Sequence, residues 1–170
     1  QPVDAHRFTA PSTNGVEVDV WVVLPRGTDP NDASRKLPVL LNVHGGPFTQ
    51  YGRGFFDEFH AYTGAGYGVV FCNPRGSAGQ STAFARSIIG HLGEDDYRDV
   101  MACFDAALAH MPWADRSRLG VMGGSYGGFI TLMAMFTTPD VFAAGAALRP
   151  VTDWSHYNHG YTSNILNTPQ

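Results

Sequence analysis

The chain has 170 residues, of which 44% are hydrophobic and 15% are charged, and its formal net charge at pH 7 is −4. This composition is typical of one soluble domain with its own core, and the lack of a basic cluster argues against nucleic acid or an anionic membrane as a partner. No apolar run is long enough to cross a bilayer. Cys72 and Cys103 lie in apolar contexts, so we expect buried thiols and no disulfide.

The first predicted elements form a hairpin. Residues 16–24 alternate between polar and apolar positions and then become fully apolar, which is typical of an antiparallel strand near a sheet edge. The turn signal Thr13-Asn14-Gly15 precedes them, so we expect residues 5–9 to be the partner strand.

Strands and helices then alternate along the chain. Short apolar runs that stop at glycine or proline predict buried parallel strands at 38–43, 67–72, 119–122 and 142–148. Helical patterns lie between and after them, at 55–64, 81–90, 97–110 and 126–137. This alternation predicts an α/β fold with a mainly parallel sheet and helices on both faces, and functional residues at the carboxyl ends of the strands.

The strongest candidate for chemistry is Ser125. Gly123-Gly124-Ser125-Tyr126-Gly127 matches the pattern G-x-S-x-G, with an apolar strand directly before it and a helical stretch directly after it. This context predicts a sharp, strained turn that presents the serine hydroxyl above the sheet as a nucleophile. The alternative is a glycine-rich turn with an incidental serine.

A second glycine motif, His44-Gly45-Gly46-Pro47, follows the first central strand. In α/β-hydrolases a loop at this point supplies a backbone N–H to the oxyanion of the reaction, and glycine leaves that N–H accessible. We interpret His44 as structural, because the general base of this fold follows the nucleophile in the chain.

Together these motifs resemble the catalytic domain of the prolyl oligopeptidase family, in its acylaminoacyl-peptidase and dipeptidyl-aminopeptidase-like branch. The resemblance covers essentially the whole chain and also includes Asn73-Pro74-Arg75-Gly76-Ser77 and Tyr97-Arg98-Asp99-Val100-Met101. It implies an α/β-hydrolase fold and a short peptide as substrate, with no cofactor and no metal. Ser125 would attack the carbonyl, and the backbone N–H groups of Tyr126 and Gly46 would bind the oxyanion. We interpret Arg75, in a loop near the site, as mainly structural, with contact to substrate as the alternative.

The sequence departs from the family pattern after Ser125. The family acid and histidine come after two further strands, and a β-propeller precedes the hydrolase domain. We therefore expect residues 1–170 to be the N-terminal and central part of one α/β-hydrolase catalytic domain, truncated at its C-terminus and without a propeller. The remaining candidates for acid and base are Asp140, Asp153, His156 and His159. Asp153 and His156 are expected to be surface groups rather than triad members, and Asp153, Trp154 and Tyr157 to line an acyl pocket instead.

The resulting hypothesis is a serine peptidase that hydrolyses amide bonds of short peptides, either acylated or with a free N-terminal aminoacyl group, through an acyl-enzyme on Ser125. A carboxylesterase-type hydrolase of the same fold and a catalytically incompetent fragment that works by binding are the alternatives. We expect no histidine within roughly 2.6–3.2 Å of the Ser125 hydroxyl, and little activity from the chain alone. The expected protein partners are the rest of the catalytic domain or a second copy. The compartment is undetermined, with the cytoplasm slightly favoured over the periplasm or secretion.

Overall fold

Six strands form one sheet in the computed structural model, which describes residues 4–166. In chain order the strands are β1 (Ala5–Pro11), β2 (Glu17–Val23), β3 (Leu37–Val43), β4 (Gly68–Cys72), β5 (Ala114–Gly124) and β6 (Ala144–Leu148). Their order across the sheet is β1-β2-β4-β3-β5-β6. The pairs from β4 through β3 and β5 to β6 are parallel, and β1 and β2 join antiparallel at one edge, as the hairpin signal predicts.

Helices cover both faces of the sheet. They are α1 (Asp57–Gly64), α2 (Thr82–Arg86), α3 (Asp95–Ala109), α4 (Tyr126–Thr137) and α5 (His159–Leu166). Side chains alternate along β2, so that Val20 and Val22 join the core under α3 and α4. Trp21 and Val23 join a smaller aromatic core with Phe59 of α1 on the opposite face. The prediction of an α/β-hydrolase-type sheet with helices on both faces is confirmed.

The register between β3 and β5 determines where the site lies. Val43 pairs with Gly123, so the two strands reach the carboxyl edge of the sheet at the same level. The loops that follow them, with the two glycine motifs of the sequence, therefore leave the sheet side by side.

Two strands differ from the sequence prediction. β5 begins at Ala114 rather than at Leu119, because its first residues include exposed polar side chains such as Ser117 that hide the strand from an apolar pattern. The predicted burial of the last strand is wrong for most of β6, since Ala144–Ala146 and Leu148 are exposed. The physical reason is that β6 pairs on one side only, with β5, within residues 4–166.

The remaining composition-based expectations concern thiols and membranes. Cys72 and Cys103 are both buried and free, as predicted. Within the described part of the chain, no helix combines the length and the apolar character that crossing a membrane requires.

Candidate active site

Ser125 lies at the turn between β5 and α4 with φ 59° and ψ −119°. A positive φ is strained for a residue with a side chain and persists only where surrounding contacts enforce it. Two hydrogen bonds do so: the Ser125 N–H donates to the Leu148 carbonyl (3.0 Å), and the Phe129 N–H donates to the Ser125 carbonyl (3.1 Å). The strained strand-to-helix turn that the motif predicts is therefore present, with β6 as one of its supports.

The glycines around Ser125 allow backbone to approach backbone. A Cβ atom added to Gly127 would lie 2.1 Å from the Val43 carbonyl oxygen, and one added to Gly123 would lie 2.6 Å from the same oxygen. Such distances are impossible for real side chains, so both positions require glycine for the end of β3 to pack on the start of α4.

The predicted oxyanion loop lies beside Ser125. A Cβ atom added to Gly45 would be 3.7 Å from the Ser125 Cβ and 3.2 Å from the Gly124 carbonyl oxygen. Gly46 has φ 122°, a conformation that favours glycine, and a cis peptide bond joins it to Pro47. The loop and the serine thus meet at the same edge of the sheet.

His44 supports this loop from behind. Its ring is buried, and its Nδ1 lies 2.6 Å from the Gly45 carbonyl oxygen while its Nε2 lies 2.8 Å from the Ser77 hydroxyl. Burial lowers the pKa of His44, which favours a neutral ring. Because a carbonyl can only accept, Nδ1 donates to Gly45 and Nε2 accepts the Ser77 proton. The structural interpretation of His44 fits these bonds.

No histidine acts on Ser125 within the described structure. All seven histidines lie in residues 4–166, and none of them forms a hydrogen bond with the Ser125 hydroxyl. His156 instead pairs with Asp153, Nδ1 to Oδ2 at 2.8 Å, and both side chains are exposed. Hydrogen bonds from Ser155, followed by that from His156, lower the pKa of Asp153 to about 2. Asp153 and His156 therefore form a surface pair, as the sequence predicts.

Tyr126, the residue after Ser125, has a fully buried side chain. Its hydroxyl donates to Asp96 Oδ2 (2.6 Å), which also accepts the Gly93 N–H (3.1 Å). Burial raises the pKa of Asp96, and its Oδ1 atom has no partner within residues 4–166. Sequence analysis missed Asp96, although an acidic residue at the start of a helix that packs on the nucleophile helix is a usable signal.

Arg75 has the structural role that the sequence predicts. Its backbone N–H and its Nε both donate to Asp99 Oδ2 (2.8 and 2.9 Å), and its Nη1 donates to Asp95 Oδ2 (2.9 Å). Arg75 is 5% exposed and Asp99 is fully buried. The guanidinium also donates to the Thr13 hydroxyl, so this cluster joins the loop after β4 to α3 and to the first hairpin.

A cavity of about 450 Å³ opens beside Ser125. Its lining includes polar and charged groups from four parts of the chain, among them Asn42, His44, Glu58, Ser125 and Arg149. A concave site with convergent polar groups beside a strained serine is the expected form of an active site.

Three aromatic residues after β6 lie near the oxyanion loop. Tyr161 stacks on Trp154 with ring centroids 6.3 Å apart, and Tyr157 contacts Tyr161 edge-on at 5.1 Å. The Tyr161 hydroxyl donates to the Gly46 carbonyl. The sequence suggested Asp153, Trp154 and Tyr157 as pocket residues, but none of them lines the cavity beside Ser125. The sequence missed Tyr161, whose contact with Gly46 joins residues distant in the chain.

Comparison with known proteins gives one consistent result. The model of the prolyl oligopeptidase family matches residues 53–170. The chain is 40% identical over 147 residues to the peptidase YuxL of Bacillus subtilis, and the alignment covers 86% of this chain and 22% of YuxL. It is 38% identical over 141 residues to the "Probable dipeptidyl-aminopeptidase B" of Emericella nidulans, which covers 81% of this chain and 16% of that protein.

Solved structures agree with these relatives. The uncomplexed acylaminoacyl peptidase of Pyrococcus horikoshii superimposes with a TM-score of 0.87 at 31% identity, over 98% of this chain and 27% of that one. A dipeptidyl peptidase 4 of Porphyromonas gingivalis gives a TM-score of 0.84 at 31% identity, over 99% of this chain and 24% of that one. The chain thus spans about a quarter or less of the length of these proteins. It belongs to the prolyl oligopeptidase family of peptidases.

Proposed function

We propose that this chain carries the nucleophile half of a serine peptidase that hydrolyses amide bonds of short peptides through an acyl-enzyme on Ser125. The observation that carries the proposal is the strained Ser125 turn at the mouth of a cavity, beside the glycine loop that follows β3. In this reaction the Ser125 oxygen bonds to the carbonyl carbon, its proton passes to a base and then to the departing amine, and water later releases the acyl group.

The oxyanion would be bound by two backbone N–H groups. The N–H of Ser125 itself is occupied by the Leu148 carbonyl, so it is not free for this role. Tyr126 is the first residue of α4, and the N–H at that position has no carbonyl within the helix to bond. Gly46, held by the loop that His44 supports, would supply the second N–H. Donors of this kind typically contribute about 2.7–4 kcal/mol to transition-state stabilisation.

The aromatic cluster of Trp154, Tyr157 and Tyr161 would bind the side chain of the acyl residue. It contacts the oxyanion loop through the Tyr161 hydroxyl and therefore lies next to the reacting carbonyl. An aromatic or large apolar side chain packs best against such an aromatic cluster. One structural relative, an acylaminoacyl peptidase, was solved in complex with Z-Gly-Gly-Phe-chloromethyl ketone, whose reactive residue is phenylalanine.

The acid and the base of the triad would come from outside residues 1–170. Without a base, a serine hydroxyl is a poor nucleophile, and an oxyanion site with substrate binding retains only about 10³–10⁴ of the acceleration over water. The chain alone should therefore be nearly inactive, and residues 1–170 would serve as the N-terminal and central part of one catalytic domain.

The test is a comparison of the full-length enzyme with Ser125→Ala and with Ser87→Ala, an exposed serine in the loop after α2. A fluorophosphonate probe should label the wild type and Ser87→Ala but not Ser125→Ala. Hydrolysis of acetyl-Gly-Phe-p-nitroanilide should fall by about 10⁶-fold in Ser125→Ala only, as for loss of a serine nucleophile elsewhere.

Two outcomes would favour the alternatives. Hydrolysis of p-nitrophenyl esters without hydrolysis of peptide amides would indicate an esterase of the same fold. Labelling that persists in Ser125→Ala, or no labelling of the full-length wild type, would indicate that Ser125 is not the nucleophile.

A further inference from the structure

One charged group on the cavity wall has no role in the reaction described above. Arg149 directly follows β6, lines the cavity together with Ser125 and is exposed to solvent. Within residues 4–166 it forms no ion pair and no hydrogen bond. A guanidinium with five donors beside a candidate active site is therefore available to a ligand.

The backbone at Arg149 is strained and lies next to a support of the Ser125 turn. Arg149 has φ 40°, in the left-handed region that is costly for any residue with a side chain. The residue before it, Leu148, accepts the hydrogen bond from the Ser125 N–H, so Arg149 is one residue away from a direct support of the turn. Strain of this kind next to a reacting serine is typical of a functional position.

The guanidinium lies over Gly124, the residue before Ser125. A Cβ atom added to Gly124 would be 3.3 Å from Nη2 and 3.4 Å from both Cζ and Nη1 of Arg149. A larger side chain at position 124 would press against the guanidinium. Glycine at the variable position of the nucleophile motif thus gives Arg149 its place at the cavity mouth.

The other ionisable groups of the cavity do not neutralise Arg149. Glu58 Oε1 accepts hydrogen bonds from the Tyr62 hydroxyl (2.6 Å) and from Asn42 Nδ2 (3.2 Å). His44, whose pKa burial lowers, is bonded to Gly45 and Ser77. Arg149 is therefore the cationic group of this wall, and a guanidinium binds a carboxylate through two parallel charge-assisted hydrogen bonds.

We infer that Arg149 binds the terminal carboxylate of the peptide on the leaving-group side of the scissile bond. The inference rests on the proposed function, which places the acyl side chain at Trp154, Tyr157 and Tyr161. None of those three residues lines the cavity, whereas Arg149 and Ser125 both do. The acyl part and the leaving group would thus lie on the two sides of Ser125, with Arg149 on the leaving-group side.

The position of Arg149 also limits the length of the leaving group. Its guanidinium covers the residue adjacent to Ser125, and an extended residue spans only about 3.3–3.6 Å. The preferred substrates are therefore peptides with a free carboxylate one or two residues after the cleaved bond. The enzyme would release single amino acids or dipeptides from the C-terminal end of short peptides.

The first experiment compares acetyl-Gly-Phe-Ala with its C-terminal amide as substrates of the full-length enzyme. We expect kcat/KM for the free acid to exceed that for the amide by at least about tenfold, the effect of a charge-assisted hydrogen bond. In Arg149→Met this ratio should fall to about one. Arg53→Met, which removes the same charge from a neighbouring loop outside the cavity lining, should retain the wild-type ratio. A ratio that is unchanged in Arg149→Met would overturn the inference.

The second experiment measures binding without turnover. Titration calorimetry of Ser125→Ala should show at least about tenfold tighter binding of the acid than of the amide, and the difference should vanish in Ser125→Ala/Arg149→Met. Equal binding of the two peptides, or binding of neither peptide, would contradict the inference. Preference for a carboxylate placed on the acyl side, in succinyl-Gly-Phe-amide, would contradict its leaving-group assignment. A third outcome is that the acid binds more tightly than the amide, as expected, while the full-length enzyme hydrolyses neither peptide. This outcome would contradict the proposed function but support the carboxylate site at Arg149.

Discussion

Two regions at the carboxyl edge of the sheet contain the same three residue types in opposite environments. The inner region, formed by the loops after β3 and β4, holds Arg75, Ser77 and His44, which are 5%, 0% and 5% exposed. The outer region, residues 149–157 after β6, holds Arg149, Ser155 and His156, all exposed. In the inner region every one of these side chains has buried protein partners. In the outer region Arg149 has none within residues 4–166, and Ser155 and His156 bond only to each other and to Asp153.

This contrast distinguishes side chains that maintain the structure from side chains that can bind a ligand. A buried charge is retained only if protein groups compensate it, so its geometry is fixed before substrate arrives. An exposed charge at a cavity is stabilised by the water that hydrates it, and a ligand can replace that water. Under the proposed function, the inner region would therefore hold the oxyanion loop in place, and the outer region would contact substrate.

The largest expected difference is between the two arginines. Arg75→Met leaves the buried Asp99 without its cationic partner, and removing one member of a buried pair typically costs about 3–5 kcal/mol. Arg149→Met should change the free energy of unfolding by less than about 0.5 kcal/mol, as expected for a surface substitution. Urea unfolding followed by circular dichroism measures both. Equal destabilisation by the two substitutions would contradict the contrast.

A smaller difference is expected between the two serines. Ser77→Ala leaves the buried His44 Nε2 without its donor, at a cost of about 1–3 kcal/mol. It should also lower kcat more than it raises KM, because under the proposed function the loop that His44 supports would bind the oxyanion of the transition state. Ser155→Ala removes an exposed hydroxyl from the other region and should leave stability nearly unchanged. The prediction is wrong if Ser77→Ala is as stable and as active as Ser155→Ala.

The smallest expected difference is in pH dependence. Because burial lowers the pKa of His44, the unfolded chain binds a proton below about pH 6.5 that the folded chain does not. His44 therefore makes the free energy of unfolding decrease as pH falls from about 6.5 towards its folded pKa, by at most about 1.4 kcal/mol per pH unit. His44→Gln should reduce that slope, measured by urea unfolding between pH 7 and 5. His156→Gln should retain it, and a slope that both variants share with the wild type would exclude His44 as its source.

The sequence alone predicts the strands and loops of the inner region well. Apolar runs stopped by glycine or proline identify β3, β4 and the second half of β5, because β3 and β4 are largely buried and β5 is exposed only in its first half. The G-x-S-x-G pattern predicts the turn at Ser125, since only glycine at 123 and 127 permits the contacts with the Val43 carbonyl. Arg75 and His44 could be assigned structural roles from their place beside these motifs.

The outer part depends on contacts between residues that are distant in the chain. Arg149 lies over Gly124 only because β6 pairs with β5, and Tyr161 bonds Gly46 across a separation of 115 residues. Ser77 is likewise 33 residues from its partner His44. Neither periodicity nor a local motif indicates which loops lie next to each other. These contacts could be predicted only if the order of the strands across the sheet were already known.

The contact between Gly127 and the Val43 carbonyl has a consequence for motion. Because the start of α4 and the end of β3 touch through backbone atoms alone, no rotatable side chain lies between them to absorb a displacement. The Ser125 turn and the base of the oxyanion loop must therefore move as one rigid body. The exposed segments around this rigid body, which include Phe55 (68% exposed) and Tyr157 (43% exposed), would adjust to substrates of different size. Under the proposed function, catalytic geometry and substrate fit would thus be governed by mechanically separate parts of the molecule.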